Sequence, residues 1–169
     1  MNEFDHILLI GFGAPTQVTE IEPFLKRVAQ GRNIPGERLR EVASRYKEIG
    51  GRSPYQEAVI ELAQQLQEGL KKNNSRYPVF VGMRNWHPFL GETLARIYAQ
   101  GHRRGLGILL APFRTETTCK RYKDNVEEAK RESKTTDLSY EYLDPWFAHP
   151  LFVEAQAEKV AEEILRHDY

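Results

Sequence analysis

The residues of this chain that are best suited to catalysis or ligand binding lie in short loops that follow apolar runs. One run, residues 7–10, ends in the loop 11–15, and another ends in the loop 84–88, which contains His87. An imidazole can accept a proton or ligate a metal near neutral pH. We therefore expect His87 to be the catalytic proton acceptor or weak metal ligand of a site here. The alternative is a partly buried loop histidine that is satisfied by the backbone.

The loop 11–15 has the pattern Gly-x-Gly-x-Pro, which limits the ligands it can bind. A dinucleotide-binding loop needs a third glycine, and this chain has Thr16 in that place, so the pattern does not predict a nucleotide site. Gly11 and Gly13 instead let the backbone turn sharply beside a flat or bulky ligand, and Pro15 stiffens the exit. A tight turn without a ligand is the alternative that the spacing leaves open.

The elements that must position these loops follow from hydrophobic periodicity. Short apolar runs predict strands, and apolar residues at every third or fourth position predict the helices that follow them. A capping box at Thr19 and Glu22 predicts the start of the first helix. The predicted strands lie at residues 7–10, 77–83, 106–112 and 138–143, of which the last is expected at an edge.

Strands that alternate with helices imply right-handed crossovers and a parallel sheet. We therefore predict one α/β domain over residues 1–169, with a four-stranded parallel sheet and helices on both faces. In such a sheet the loops after the strands lie at one edge, where ligands bind. These loops are residues 11–16, 84–88, 112–118 and 144–146.

Composition narrows the classes of partner. Lysine plus arginine and aspartate plus glutamate both total 24, so the formal net charge is zero and predicts no binding to nucleic acid. The single cysteine, Cys119, rules out an internal disulfide and is expected on a helix rather than at a metal. No apolar window is long enough for a transmembrane segment. We therefore expect a cytoplasmic protein.

Several segments together resemble the ferrochelatase family, which inserts iron into a porphyrin as haem is made. Residues 45–54, RYKEIGGRSP, are similar to its specific R-Y-x-x-I-G-G-x-S-P signature. Further likenesses follow in family order and are closest to the bacterial, coproporphyrin-using branch. They are residues 9–15 (LIGFGAP), 81–88 (VGMRNWHP), 110–112 (LAP) and 144–147 (DPWF).

The resemblance implies a chelatase-like, flavodoxin-like lobe whose substrates are ferrous iron and a porphyrin, either coproporphyrin III or protoporphyrin IX. No tightly bound cofactor is expected. Arg45 would contact a propionate, with an exposed helix charge as the alternative, and Ser53 would mainly cap a helix. The porphyrin-binding residues implied are Phe12, Gly13, Pro15, Arg45, Ser53, Arg84, Trp86 and Tyr122.

The resemblance covers the amino-terminal lobe of a two-lobed family, whose second lobe carries the histidine and glutamate that handle protons and metal. We expect both to be absent from this chain. Phe12 stands where the coproporphyrin-using branch has a tyrosine, so no metal ligand is assigned. The hypotheses are a one-lobe enzyme working as a homodimer or with a separate second lobe, and a porphyrin or haem binder without catalysis. Two further hypotheses are that the chain is one lobe of a longer gene product, and that it is a flavodoxin-like domain that binds no tetrapyrrole.

Overall fold

The computed structural model of the protein describes residues 4–113 and 115–167. Its sheet has four parallel strands in the order β2-β1-β3-β4, which confirms the predicted α/β class. The first strand lies between two others and all six of its residues are buried, and the fourth lies at an edge as predicted. The strands are β1 (His6–Gly11), β2 (Val79–Met83), β3 (Arg104–Leu109) and β4 (Ser139–Tyr142).

Helices follow every strand, as the periodicity predicts. A short 3₁₀ helix (Val18–Glu20) precedes the first of them. Ser53 caps the third helix because its Oγ accepts the N–H of Tyr55, and Pro54 occupies the first turn. The helices are α1 (Ile21–Ala29), α2 (Gly36–Glu48), α3 (Pro54–Lys72), α4 (Leu90–Ala99), α5 (Glu116–Glu132) and α6 (Pro150–Arg166).

The two faces of the sheet are covered by different helices, because successive side chains of a strand point to opposite faces. Leu8 and Ile10 belong to the core formed with α4 and α5. Ile7 and Leu9 belong to the core formed with α3. Helices on both faces are therefore confirmed, and none of the helices in the described part of the chain is long and apolar enough to cross a membrane.

A third hydrophobic cluster lies between α1 and α2 and supports the first two strand-end loops. Ile21, Phe24 and Leu25 are its buried residues, and Phe12 and Trp86 pack against it from the loops. The helix pair is thereby joined to the carboxyl edge of the sheet. Its hydrophobic cluster positions both an aromatic residue of the first loop and one of the second.

The predicted capping box at Thr19 and Glu22 is wrong. The α-helix begins at Ile21 after the 3₁₀ turn, and Glu20 precedes it without a side-chain cap hydrogen bond. The carboxylate of Glu20 instead reaches back to the N–H and hydroxyl of Thr16, at 2.7 and 3.0 Å. Tertiary contacts of Glu20 therefore replace the local cap.

Helix α6 contacts the rest of the domain through its beginning. The ring of Phe152 lies 4.9 Å from that of Trp146, measured between centroids. From Val153 to His167 every residue is exposed, including apolar Val160 at 59% and Leu165 at 79%. The apolar stripe of this helix formed by Val153, Val160 and Ile164 therefore has no covering element within the described residues.

Candidate functional site

The first loop turns sharply against the second. Gly13 has a φ of +88°, and a Cβ placed there would lie 2.8 Å from the backbone nitrogen of Trp86. Only glycine meets both demands without strain. The backbone N–H of Phe12 donates to the hydroxyl of Tyr55 at 2.9 Å, and Pro15 accepts the N–H of Ser53 at 3.1 Å. The loop is thus held between the second loop and the start of α3.

Backbone hydrogen bonds extend the sheet into both loops. The N–H of Arg84 donates to Gly11 at 3.0 Å, and the N–H and side-chain amide of Asn85 both donate to the carbonyl of Phe12 at 3.0 Å. Trp86 then donates its indole N–H to Glu20 at 2.9 Å. The predicted residues Phe12, Gly13, Arg84 and Trp86 are therefore brought together on one hydrogen-bonded surface.

Arg84 is half-buried between two aromatic rings. Its guanidinium carbon lies 4.3 Å from the ring centroid of Tyr122 and 5.8 Å from that of Phe12. Its Nε donates to Asn125 at 2.7 Å, which fixes the plane of the group. Burial lowers the pKa of Arg84 and raises the pKa of Tyr122, which is only 5% exposed. Tyr122, predicted as a binding residue, is therefore buried beneath Arg84 and helps to position its guanidinium.

Two other predicted binding residues have structural partners. Arg45 lies on α2, has 64% of its side chain exposed, and pairs with Glu41 at 2.6 Å. That pair matches the alternative of an exposed helix charge, and any ligand contact by Arg45 would have to compete with Glu41. Ser53 is 8% exposed and serves as the helix cap expected as its main role.

The candidate proton acceptor His87 lies on the outer rim of the second loop. Its ring centroid is 4.1 Å from that of Phe89, and its Nδ1 is 3.4 Å from the carboxylate of Glu92. The side chain is 61% exposed. The backbone carbonyl of His87 accepts the side-chain amide of Gln56, whereas the ring itself pairs with a carboxylate. An exposed imidazole beside a carboxylate is able to exchange protons with solvent and with a ligand on the same rim.

The loops after β3 and β4 carry exposed aromatic rings. Phe113 and Phe147 stack with centroids 6.3 Å apart and planes at 22°, and they are 60% and 43% exposed. Trp146 donates its indole N–H to the carbonyl of Leu109 at 3.2 Å, which anchors this cluster at the end of β3. Exposed aromatic rings at a strand-end edge suit contact with a flat apolar ligand or with another protein surface.

The residues that could jointly ligate a metal ion lie at the amino-terminal edge of the sheet, opposite the strand-end loops. Among the described residues, Asp5, His6 and His102 form the single cluster of three such side chains. Both ring nitrogens of His6 are engaged, with Asp5 at 2.5 Å and with the hydroxyl of Tyr140 at 2.9 Å. The cluster is therefore a hydrogen-bonded structural unit at the beginning of β1. Cys119 lies on α5, as predicted.

Sequence patterns missed three residues that shape the site. Tyr55 supports Phe12, Glu20 holds Trp86, and Asn125 orients Arg84. Their partners are 43, 66 and 41 residues away in the chain, so no local periodicity could reveal these pairs. Chemically, the arrangement offers an apolar aromatic surface next to guanidinium groups, with an imidazole at the rim. It suits a flat ligand that carries negative side groups.

Comparison with known proteins agrees with this geometry. The sequence pattern of the family described as Ferrochelatase matches residues 5–168. A ferrochelatase of Rhodopirellula baltica is 35% identical over 159 residues, which cover 94% of this chain and 45% of that protein. A coproporphyrin III ferrochelatase of Mycobacteroides abscessus is 35% identical over 158 residues, with 94% and 46% covered. The chain spans about half the length of these relatives.

Proposed function

Because this chain belongs to the ferrochelatase family, we propose that it forms one wall of a site where ferrous iron is inserted into a porphyrin during haem biosynthesis. The porphyrin would be coproporphyrin III or protoporphyrin IX. The observation that carries the proposal is the joined surface of the first two loops, in which Gly13 abuts Trp86 and Arg84 lies over Phe12. An aromatic surface beside a cation matches a flat macrocycle with carboxylate arms.

Metal insertion requires the ring to be held, bent and relieved of two N–H protons while the metal loses water. The two loops of this chain would hold the ring, because the hydrogen bonds to Gly11 and Phe12 keep both loops in place. His87, paired with Glu92, is the group proposed to accept a proton at the rim. The metal enters as substrate, and we assign no ligand to it.

A site of this kind needs a second wall, and two apolar surfaces that are not fully covered support a partner. The stripe of α6 formed by Val153, Val160 and Ile164 is 49–59% exposed. On the α3 face of the sheet, Leu106 and Ile108 of β3 are only half-buried. Exposed apolar surfaces of this kind mark interaction sites. We propose that a second lobe, or a second copy of this chain in a symmetric dimer, covers them and closes the cleft.

The test is an anaerobic titration of the protein with coproporphyrin III, followed by ferrous iron, while the Soret and visible bands report binding and metallation. Saturable binding and metallation above the uncatalysed rate would support the proposal. His87→Ala should then slow metallation with little effect on porphyrin affinity, and His102→Gln at the opposite edge is the matched control. Absence of porphyrin binding would overturn it.

A second candidate is a porphyrin or haem binder without catalysis. It is favoured by Phe12, whose ring can stack on a macrocycle but cannot ligate a metal, and by the absence of a multi-ligand metal cluster at this edge among the described residues. The same titration separates the two functions. Saturable porphyrin binding with metallation at the uncatalysed rate would favour the binder.

A further inference from the structure

Three side chains that can ligate a metal meet at the amino-terminal edge of the sheet, away from the candidate site. Asp5 precedes β1, His6 begins it, and His102 lies in the turn between α4 and β3. One ligand atom from each of them lies within 4.8 Å of the other two. Because β1 has six residues, this edge is about 17 Å from the loop that begins at Gly11. The cluster is therefore separate from the proposed porphyrin surface.

The spacing of the ligand atoms suits a tetrahedral metal ion. Oδ1 of Asp5 lies 2.5 Å from Nδ1 of His6 and 3.7 Å from Nδ1 of His102. Ligand atoms that are each about 2.0–2.2 Å from a tetrahedral zinc ion lie about 3.3 Å from one another. The two distances in this protein bracket that value, so shifts of about 1 Å would place the oxygen and both nitrogens around one ion.

Hydrogen bonds orient two of the three ligands. Oδ2 of Asp5 accepts the backbone N–H groups of Arg103 at 2.7 Å and of Arg104 at 3.1 Å, which directs Oδ1 towards the histidines. Nε2 of His6 is 2.9 Å from the hydroxyl of Tyr140, so Nδ1 is the nitrogen that faces Asp5. Outer partners of this kind orient the ligands of a metal site. The carboxylate and the first imidazole are thus held in fixed orientations.

The third ligand, His102, has a ring that makes no hydrogen bond among the described residues. Its side chain is only 24% exposed, and the 3.7 Å between its Nδ1 and Asp5 exceeds hydrogen-bond distance. Packing holds the ring, whose centroid is 5.6 Å from that of His6 and 5.8 Å from that of Phe80. Buried polar groups of proteins usually have a hydrogen-bond partner. An imidazole that is held in place without such a partner is available to a ligand.

A cavity gives solvent and a metal ion access to the cluster. Its volume is about 620 Å³, and Asp5 and His102 line it, whereas His6 does not line it and is fully buried. The hydroxyl of Ser75, which also lines the cavity, is buried and has no hydrogen-bond partner within the described residues. Three protein ligands with an open fourth position are typical of zinc sites that bind water or a small ligand. The open position here would face this cavity.

We propose that Asp5, His6 and His102 form a binding site for a divalent transition-metal ion such as Zn²⁺, with water or a small anion as the fourth ligand. Two imidazoles and one carboxylate are a donor set that zinc accepts. The ion joins the beginning of β1 to the turn before β3. Because the site lies at the opposite edge from the porphyrin surface, this ion is distinct from the iron proposed as substrate.

Metal binding changes the tautomer of His6. A carboxylate only accepts hydrogen bonds, so Nδ1 of His6 carries the proton that it donates to Asp5, and Nε2 accepts from Tyr140. A metal ion on Nδ1 needs the lone pair of that nitrogen. The proton therefore moves to Nε2, which then donates to the hydroxyl oxygen of Tyr140. Nitrogen-15 NMR distinguishes the two tautomers, and we expect saturating Zn²⁺ to convert one into the other.

The experiment is a calorimetric titration of the EDTA-treated protein with Zn²⁺ in the absence of porphyrin. The decisive variant is His102→Gln, because its ring makes no hydrogen bond that the fold would lose in the described part of the chain. Tyr140→Phe removes the outer partner of His6. His167→Gln is the matched control, since that exposed histidine also lies beside a carboxylate, Glu163 at 2.8 Å, but outside the cluster. Thermal unfolding verifies that all variants fold.

We expect the wild-type protein to bind one zinc ion per chain. His102→Gln should weaken the affinity by at least about 100-fold, Tyr140→Phe by about tenfold, and His167→Gln by no more than about twofold. The site is overturned if zinc does not bind saturably, if His102→Gln binds it as tightly as the wild type, or if His6 keeps its tautomer at saturating Zn²⁺. Absence of porphyrin binding would overturn the proposed function alone, because this titration contains no porphyrin.

Discussion

The indole N–H of Trp86 donates a hydrogen bond of 2.9 Å to the carboxylate of Glu20, joining the second loop to the 3₁₀ helix that follows the first loop, 66 residues away in the chain. The same carboxylate accepts hydrogen bonds from the backbone and hydroxyl of Thr16. One acidic side chain therefore connects the exit of the first loop to the second loop. This explains how separate strand-end segments become a single surface.

Loss of the Trp86–Glu20 bond should loosen the site. We expect Trp86→Phe to lower the free energy of unfolding by about 1 kcal/mol or more, because a smaller aromatic ring remains and the hydrogen-bond donor is lost. Glu20→Gln should weaken the contacts with Thr16 as well. A double-mutant cycle by chemical denaturation measures the coupling between the two residues, and strictly additive effects would contradict a direct interaction.

Protonation of Glu20 should have a similar effect at acid pH. Burial raises the pKa of this carboxyl, but the hydrogen bonds from Thr16, Trp86 and Gln17 outweigh it and leave the pKa lowered. The unfolded chain therefore binds the proton more readily, so this contribution is present above about pH 4.5 and is lost as the pH falls through the folded-state value. Glu20→Gln should flatten the stability profile in that range, measured by urea unfolding between pH 5.5 and 3.5.

The close approach of the first two loops should not tolerate a methyl group at Gly13. We expect Gly13→Ala to lower the free energy of unfolding by about 2 kcal/mol or more, since φ is +88° and the new Cβ would meet the backbone of Trp86. Gly91→Ala is the control, because that glycine is helical and a Cβ built there would meet no atom within 4 Å other than those of its chain neighbours and its own helix backbone. It should be neutral or stabilising by about 0.5–1 kcal/mol.

The buried His6 should make the protein less stable as the pH falls. His6 is fully buried and is faced by Asp5, His102, Tyr140 and the ring of Phe80. Burial lowers its pKa despite the hydrogen bond with Asp5. Since the unfolded state then binds the proton more strongly, stability should decrease as the pH falls from 7.5 through about 6.5, by at most about 1.4 kcal/mol per pH unit.

The measurement is urea unfolding at pH 7.5, 6.5 and 5.5. His6→Gln should remove most of this slope, whatever its effect on absolute stability, whereas His102→Gln should retain it. A wild-type slope that survives in His6→Gln would show that another group is responsible.

The exposed stripe of α6 should contribute to assembly and not to the fold of the domain. Val160→Asp combined with Ile164→Asp should change the free energy of unfolding by no more than about 0.5 kcal/mol per site, because both side chains are exposed. If α6 binds a second copy, the variant should shift the sedimentation profile towards monomer. Ala155→Asp adds one such charge to the opposite side of the helix and should leave association unchanged. A wild-type protein that is monomeric at every concentration would exclude the homodimer.

The sequence alone determined the order and type of the elements, because the apolar run at residues 7–10 and the helical spacing after each strand are local patterns that a parallel α/β sheet must display. It also placed Phe12, Gly13, Arg84 and Trp86 in strand-end loops, and the motif 45–54 identified their family. The capping box predicted at Thr19 and Glu22 is wrong because the intervening Glu20 has hydrogen-bond partners outside its own helix.

Only the tertiary structure decided how these residues meet. The contacts of Tyr55 with Phe12 and of Asn125 with Arg84 depend on the packing of α3 and α5 on opposite faces of the sheet, which no sequence spacing specifies. The same packing brings arginines from α1 and α5 around one cavity, although the chain as a whole is neutral. Local sequence sets elements through periodicity, whereas the electrostatics of a site arise from distant residues that folding brings within a few ångströms.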